Sequence, residues 1–365
     1  MPATPRSQLA LLTGFPGFIG RRLVRQLLDQ EPDLRVAALV EPRMLDAART
    51  VAESIDSDRL EIVSGDITEA RLGLSESVYE RLAADTDYVF HLAAIYNLAV
   101  PLAVAQRVNV EGTANVLTFS RSAQQLKRLA YVSTAYVAGK RTGVVYEHEL
   151  AMGQDFKNHY ESTKFQAEVW VRDCLDEVPT TILRPAIVVG DSHTGETEKF
   201  DGPYYLLRAI SRARRFGLRP VQFGRATAAF NVVPVDYVVK AIGAAAGDPH
   251  TLGETLHLVD PEPLSTRQLV DLLSHEYAGV SPRGQIPPAV ADVALRLPWM
   301  RALLGGTPRE SIVYMNHPVV YDARRAVELL APHGLRPPRF GDYAAPVVRF
   351  FAEHERDPRF VPPSS

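Results

Sequence analysis

The chain has 365 residues, 46% hydrophobic and 23% charged, which suits a packed core in one large α/β domain with a smaller appendage, or in two domains. A net charge of -3 speaks against a basic nucleic-acid binder, and the single cysteine, Cys174, excludes an internal disulfide and leaves no Cys/His cluster at metal spacing. No stretch approaches the ~18 apolar residues of a membrane span and residues 1–17 lack a signal-peptide layout, so the expected setting is reducing and cytoplasmic.

Along the chain, β-rich runs alternate with helical patterns. The spacing predicts strands over Leu9–Thr13, Leu34–Val40, Leu60–Ser64, Tyr88–Leu92, Leu129–Ser133 and Thr180–Val189. Helices are expected over Phe18–Gln30, Arg43–Ser54, Glu76–Ala84, Val100–Gln125 and Tyr160–Glu177. In the first of these, Leu23, Val24, Leu27 and Leu28 form one apolar stripe. Alternation at this spacing predicts an α/β fold of the Rossmann type, a doubly wound parallel sheet covered by helices on both faces. Residues 1–190 would form this nucleotide-binding domain, completed by about 231–260, where Asn231–Ala246 reads as strand plus helix and Thr255–Val259 as a strand. Residues 191–230 and 261–365 would form a substrate-binding cap. The latter part is proline-dense: 16 of the 27 prolines lie between Pro249 and Pro363. Proline interrupts helices and central strands, so short helices joined by rigid turns are expected there.

The first strand runs into Gly14-Phe15-Pro16-Gly17-Phe18-Ile19-Gly20. Glycines at a strand-to-helix turn let a pyrophosphate approach the backbone, and the helix N-terminus offers unpaired N–H groups. After the second strand stand Glu41 and Arg43. The carboxylate suits the ribose hydroxyls of NAD(H), the guanidinium a 2′-phosphate of NADP(H). Asp66 and Ile67 follow the third strand, where a carboxylate would meet the adenine amino group or simply make a turn. Leu92, Ala93 and Ala94 follow the fourth, where small residues let backbone pass beside a cofactor. His91 reads as a packed strand-end residue.

Asn158 and Glu161, three apart, resemble a capping box at the start of a helix carrying Tyr160 and Lys164. These two are four apart and share one face. An ordinary phenol pKa is near ~10, and a neighbouring ammonium would lower it. The lysine would also hold the nicotinamide ribose, leaving Tyr160 as general acid toward a substrate oxygen. Ser133 and Thr134 end the fifth strand, where a hydroxyl would complete the site.

Glycine loop, hydroxyl pair and Tyr/Lys occur in the order and spacing of the extended short-chain dehydrogenases/reductases, which residues 8–260 resemble. The resemblance implies that Thr134 is the hydroxyl of the triad, with Ser133 as second choice, and that Asn109 supports Lys164 through water. It implies that Leu183–Val188, with Pro185, Ala186 and Val188, runs beside the nicotinamide. Val132-Ser133-Thr134-Ala135-Tyr136-Val137, Tyr160–Glu168 and Asn231–Val239 look like the fatty acyl-CoA reductase and thioester reductase branch. That branch implies NADP(H), reduction of an acyl thioester to aldehyde or alcohol, and acyl-CoA or an acyl carrier protein as partner. Glu41 departs from the arginine usual there and leaves NAD(H) open. Two helices packing across a twofold axis, making a homodimer, would be usual for the family. The same triad would serve a dehydrogenase, epimerase or reductase of a sugar nucleotide, sterol or other ketone, or, with catalysis lost, a cofactor-binding sensor.

Two further features stand outside the triad. Arg208, Arg212, Arg214, Arg215 and Arg219 form a basic strip suited to coenzyme A phosphates or an acidic carrier, or to a solvated helix face. Ala289–Leu304, with Trp299 and Met300, would pack within the cap, line an acyl tunnel or touch a membrane surface.

Overall fold

Runs rich in Leu, Val and Ala pair into one seven-stranded parallel sheet: β1 (Gln8–Thr13), β2 (Leu34–Val40), β3 (Leu60–Ser64), β4 (Thr86–His91), β5 (Arg128–Val132), β6 (Thr180–Pro185) and β7 (Thr255–Leu258). Their spatial order is β3-β2-β1-β4-β5-β6-β7, the doubly wound arrangement expected. The computed structural model describes residues 7–55, 57–96, 100–223, 227–286, 314 and 317–360. The Ala289–Leu304 stretch lies outside the described residues.

Helices cover both faces because every central strand is apolar on both sides. On one face, Leu23, Val24, Leu27 and Leu28 of α1 (Phe18–Gln30) and Ala48 of α2 (Leu45–Ile55) are buried against the sheet. Opposite them, α3 (Glu76–Asp85) contributes Leu82 and Ala83. The long helix predicted over Val100–Gln125 forms in three parts. A short α4 (Leu102–Ala105) passes through a π-helical turn, Gln106–Glu111, into α5 (Gly112–Ser122), whose Val116, Leu117 and Phe119 are buried. Ala167 and Val171 of α6 (His159–Asp173) complete this second layer.

The strand expected over Thr180–Val189 breaks in two. Thr180–Pro185 stays in the sheet, while Ile187–Val189 leaves it to pair in parallel with Val232–Pro234. Pro185 has no N–H to continue the ladder, which ends the strand there. The second piece leads toward a third core. Leu206, Leu207 and Ile210 of α7 (Tyr204–Arg215) pack there with Leu269, Val270 and Leu273 of α9 (Thr266–Ala278). Tyr343, Val347 and Phe351 from the chain's last long helix join them. Between Pro234 and β7, α8 (Val235–Gly247) returns to the sheet and packs with α1 through Val238, Ala241 and Ile242. From the proline-dense region, α10 (Arg324–Leu330) also packs on the sheet, through Ala326, Leu329 and Leu330, whereas α11 (Phe340–His354) belongs to the third core. No described helix is long and apolar enough to cross a membrane.

Candidate active site

The C-terminal ends of β1, β4, β5 and β6 meet in one cleft. Gly14 sits at φ +93, a conformation open to glycine, and a Cβ there would lie 3.0 Å from Leu92 C and Ala93 N. A Cβ on Gly17 would come within 2.9 Å of the Gly14 carbonyl oxygen, and one on Gly20 within 2.4 Å. The turn is thus folded tightly enough to exclude side chains. Helix α1 starts at Gly17 with no side-chain cap. Its first N–H groups have no intrahelical acceptor and face the place where a pyrophosphate fits. Leu92 N and Ala93 N donate to Thr13 O (3.3 Å) and Thr13 Oγ1 (3.2 Å), bringing the 92–94 backbone alongside the loop. These residues fit a dinucleotide.

At the ribose end, Arg43 Nε meets Glu41 Oε1 at 2.6 Å, so the two residues that argue for different cofactors neutralise one another. Arg22 and Arg21 face Glu196 at 3.0 and 3.7 Å. Asp66 Oδ1 accepts from Thr68 N at 2.8 Å, closing its own turn, and Ile67 packs beneath Gly112.

Tyr160 lies in the first turn of α6 and Lys164 one turn later. Asn158 caps the helix by accepting from Glu161 N at 3.0 Å. The reciprocal half of the expected box is missing: Glu161 Oε2 accepts from Lys157 N (2.9 Å), and Glu161 Oε1 from Tyr314 OH (2.8 Å). Thr134 Oγ1 donates to Pro185 O at 3.4 Å and accepts from Tyr136 N at 3.3 Å, and its hydroxyl stands close enough to the Tyr160 phenol to act on it. Ser133 Oγ instead donates to Glu168 Oε2 at 2.6 Å, inside the core. Of the two hydroxyls weighed on sequence, only that of Thr134 faces Tyr160.

The electrostatics differ from the sequence expectation. Burial pushes Tyr160 up to about 12, against the influence of the nearby Thr134 hydroxyl, with Glu161 and Tyr96 adding to the rise. Lys164 is buried, and burial pushes it down to about 7 against the pull of Glu168. Its Nζ donates to Val132 O (2.9 Å) and Tyr131 OH (3.0 Å) rather than to Tyr160. Desolvation therefore outweighs the ammonium's effect on the phenol.

Asn109 is fully buried on the π-helical turn. Its Oδ1 accepts from Ile95 N (2.8 Å), and its Nδ2 donates to Ile95 O (3.2 Å) and Thr163 Oγ1 (3.0 Å). Extra turns of this kind often mark functional sites. Beneath the site, Arg184 and Glu168, both fully buried, pair at 2.6 Å and tie β6 to α6. Sequence reasoning assigned no role to Glu168, Arg184 or Tyr131. A carboxylate one turn after Lys164 and an arginine inside an apolar strand were the available signals. The basic strip is half-buried at Arg208 and Arg212 and exposed at Arg214, Arg215 and Arg219: Arg208 donates to Phe360 O (3.2 Å), Arg214 to Tyr277 O (2.9 Å), and Arg215 pairs with Glu355 at 2.6 Å.

Residues 12–242 match the family described as male sterility protein. Isonitrile lipopeptide synthase of Mycobacterium tuberculosis is 29% identical over 71% of this chain and 12% of its own length. Carboxylic acid reductase of Mycobacterium marinum is 25% identical over 71% of this chain and 25% of its own. The chain thus spans about a quarter or less of the curated relatives it matches. Among solved structures, the terminal R domain from the myxalamid PKS-NRPS biosynthetic pathway superposes with a TM-score of 0.78 at 25% identity, covering 98% of this chain and 94% of that one. With that match over most of its sheet and the fold just described, the chain belongs to the male sterility protein family, in the thioester reductase branch of the NAD(P)-dependent extended short-chain dehydrogenases/reductases.

Proposed function

We propose that this chain reduces an acyl thioester, carried on coenzyme A or an acyl carrier protein, to an aldehyde or alcohol, with Thr134, Tyr160 and Lys164 as its catalytic residues. The carrying observation is that Thr134, just past β5, stands near Tyr160 on the helix that also carries Lys164, in the same sheet whose β1 ends in the Gly14–Gly20 turn. The full-length likeness to a terminal R domain, cap included, and the relative named carboxylic acid reductase favour a thioester over a ketone. Gly14–Gly20 would hold the pyrophosphate and Pro185, Ala186 and Val188 would lie beside the nicotinamide of a reduced dinucleotide, which would supply the hydride. Thr134 and Tyr160 donate hydrogen bonds to the carbonyl oxygen as negative charge develops there, which is where preorganised donors lower a barrier most. Tyr160 then gives its proton to that oxygen. Loss of the thiol from the resulting hemithioacetal leaves the aldehyde, and a second round would give the alcohol. Lys164 holds the ribose hydroxyls, and Asn109 fixes the 95–96 backbone beside them. For the adenosine end we propose NADP(H), with Arg43 turning from Glu41 to the 2′-phosphate; Glu41 is the feature that would admit NAD(H).

The test is NADPH and NADH oxidation with purified protein, an acyl-CoA series and a matched series of ketones and aldehydes. Oxidation driven by acyl-CoA with free thiol released is expected. Turnover confined to ketones or sugar nucleotides would move the substrate reading. Tight cofactor binding with no turnover on either series would favour a sensor.

A further inference from the structure

Lys164 is held by a group that the proposed chemistry does not use. The sheet register sets Thr13 beside His91 and His91 beside Tyr131 on adjacent strands, so three polar side chains stand in a row on one face of an otherwise apolar sheet. Above the row lie Thr113 of α5 and Lys164 of α6. All five residues are buried. Thr13 Oγ1 meets His91 Nδ1 at 2.8 Å, His91 Nε2 meets Thr113 Oγ1 at 3.1 Å, the Thr113 hydroxyl stands near the Tyr131 phenol, and Lys164 Nζ reaches that phenol at 3.0 Å.

Backbone groups at its ends fix the direction of this chain. Thr113 donates to Asn109 O at 2.6 Å and so accepts from His91, which therefore carries its proton on Nε2 and accepts the Thr13 proton at Nδ1. Thr13 Oγ1 in turn accepts from Ala93 N. An ammonium only donates, so the Tyr131 oxygen is the acceptor for the lysine. Both termini are backbone groups, so the network cannot carry a proton away; it can only hold. Asn109 is spent on Ile95 and Thr163 and makes no direct bond to Lys164.

We propose that Tyr131 is a positioning residue for Lys164: its phenol oxygen, together with Val132 O, aims the ammonium toward the cofactor site and keeps it charged. This rests on the catalytic role proposed for Lys164. An acceptor on the ammonium favours the charged form and opposes burial, and the Tyr131 ring, 4.5 Å from Nζ, adds a cation–π contact. The other ionisable groups around the lysine are Glu168 and Tyr160 on α6, His91 at the end of β4 and Arg184 of β6 behind Glu168; Tyr131→Phe leaves all of these, and the ring, in place.

The experiment compares wild type, Tyr131→Phe and Lys164→Ala across pH 6–9, reading kcat/KM and cofactor binding by nicotinamide fluorescence. Tyr131→Phe is expected to move the alkaline limb of both profiles down by about one pH unit, with cofactor binding at pH 8 weakened several-fold and the melting temperature little changed. Profiles that coincide with wild type, while Lys164→Ala is inactive, would overturn the proposal and leave the site reading standing. An active Lys164→Ala would sink the site reading itself, and this proposal with it. Should Tyr131→Phe fail to fold, Thr113→Val, which keeps the phenol but removes the hydroxyl beside it, is expected to shift the limb the same way, and an unmoved limb there would be equally fatal.

Discussion

An ordinary phenol is protonated at neutral pH, and burial holds the Tyr160 proton more firmly still, against the influence of Thr134. A general acid in a reduction needs that proton, so the upward shift suits donation to a carbonyl oxygen better than a phenolate would. Tyr160→Phe is expected to lose turnover by about 100-fold or more, the usual worth of a positioned acid, while cofactor binding changes by less than threefold. Full activity in that variant would remove Tyr160 from the mechanism. Tyr160 and Lys164 were legible in sequence because their spacing on a helix is local. The choice of Thr134 over Ser133 came from the family resemblance alone, because its physical reason, the capture of the Ser133 hydroxyl by Glu168, lies 35 residues away.

The glycine turn and the start of α6 were equally local, and both form where the pattern put them. In the turn the distances make a sharp prediction. A methyl group on Gly20 would overlap the Gly14 carbonyl oxygen, backbone that cannot swing aside. Gly20→Ala should therefore open the turn, weaken cofactor binding at least tenfold and lower the melting temperature; an isothermal titration that matches wild type would contradict the cradle. The long helix over Val100–Gln125 was legible as a helix, but not its π-helical turn. That irregularity is set by Asn109 bonding to the Ile95 backbone and to Thr163 on α6, partners no helical period encodes.

Distant segments close on the site from both ends of the chain. Tyr314 reaches Glu161, the short strand Val319–Tyr321 pairs with Gly143–Val145, and Arg184 donates to Glu147 O and Glu149 O as well as to Glu168. Burial on this scale also shapes the acid response. His91 and His257 are pushed down to about 3, so between pH 6.5 and 3 the unfolded chain takes up two protons that the fold refuses. Their contribution to stability is present above pH 6.5 and is lost as pH falls. Glu147, pushed up to about 7 by burial, works the other way between pH 7 and 4.5. The melting temperature should thus fall gently from pH 6.5 to 4.5 and more steeply below, and His257→Gln should flatten the steep part; a flat profile from pH 6 to 4 would refute this account. By itself the sequence determined the strands and helices of the first 190 residues, apart from the breaks after Pro185 and at Gln106–Glu111, with the glycine turn and the Tyr/Lys pair, because each depends on residues within a turn or two of one another. Only the tertiary structure decided where Ser133, Asn109 and the basic strip are spent and what holds Lys164. Those outcomes turn on parallel-strand register and on which buried polar groups must find partners, and neither is written in any one segment.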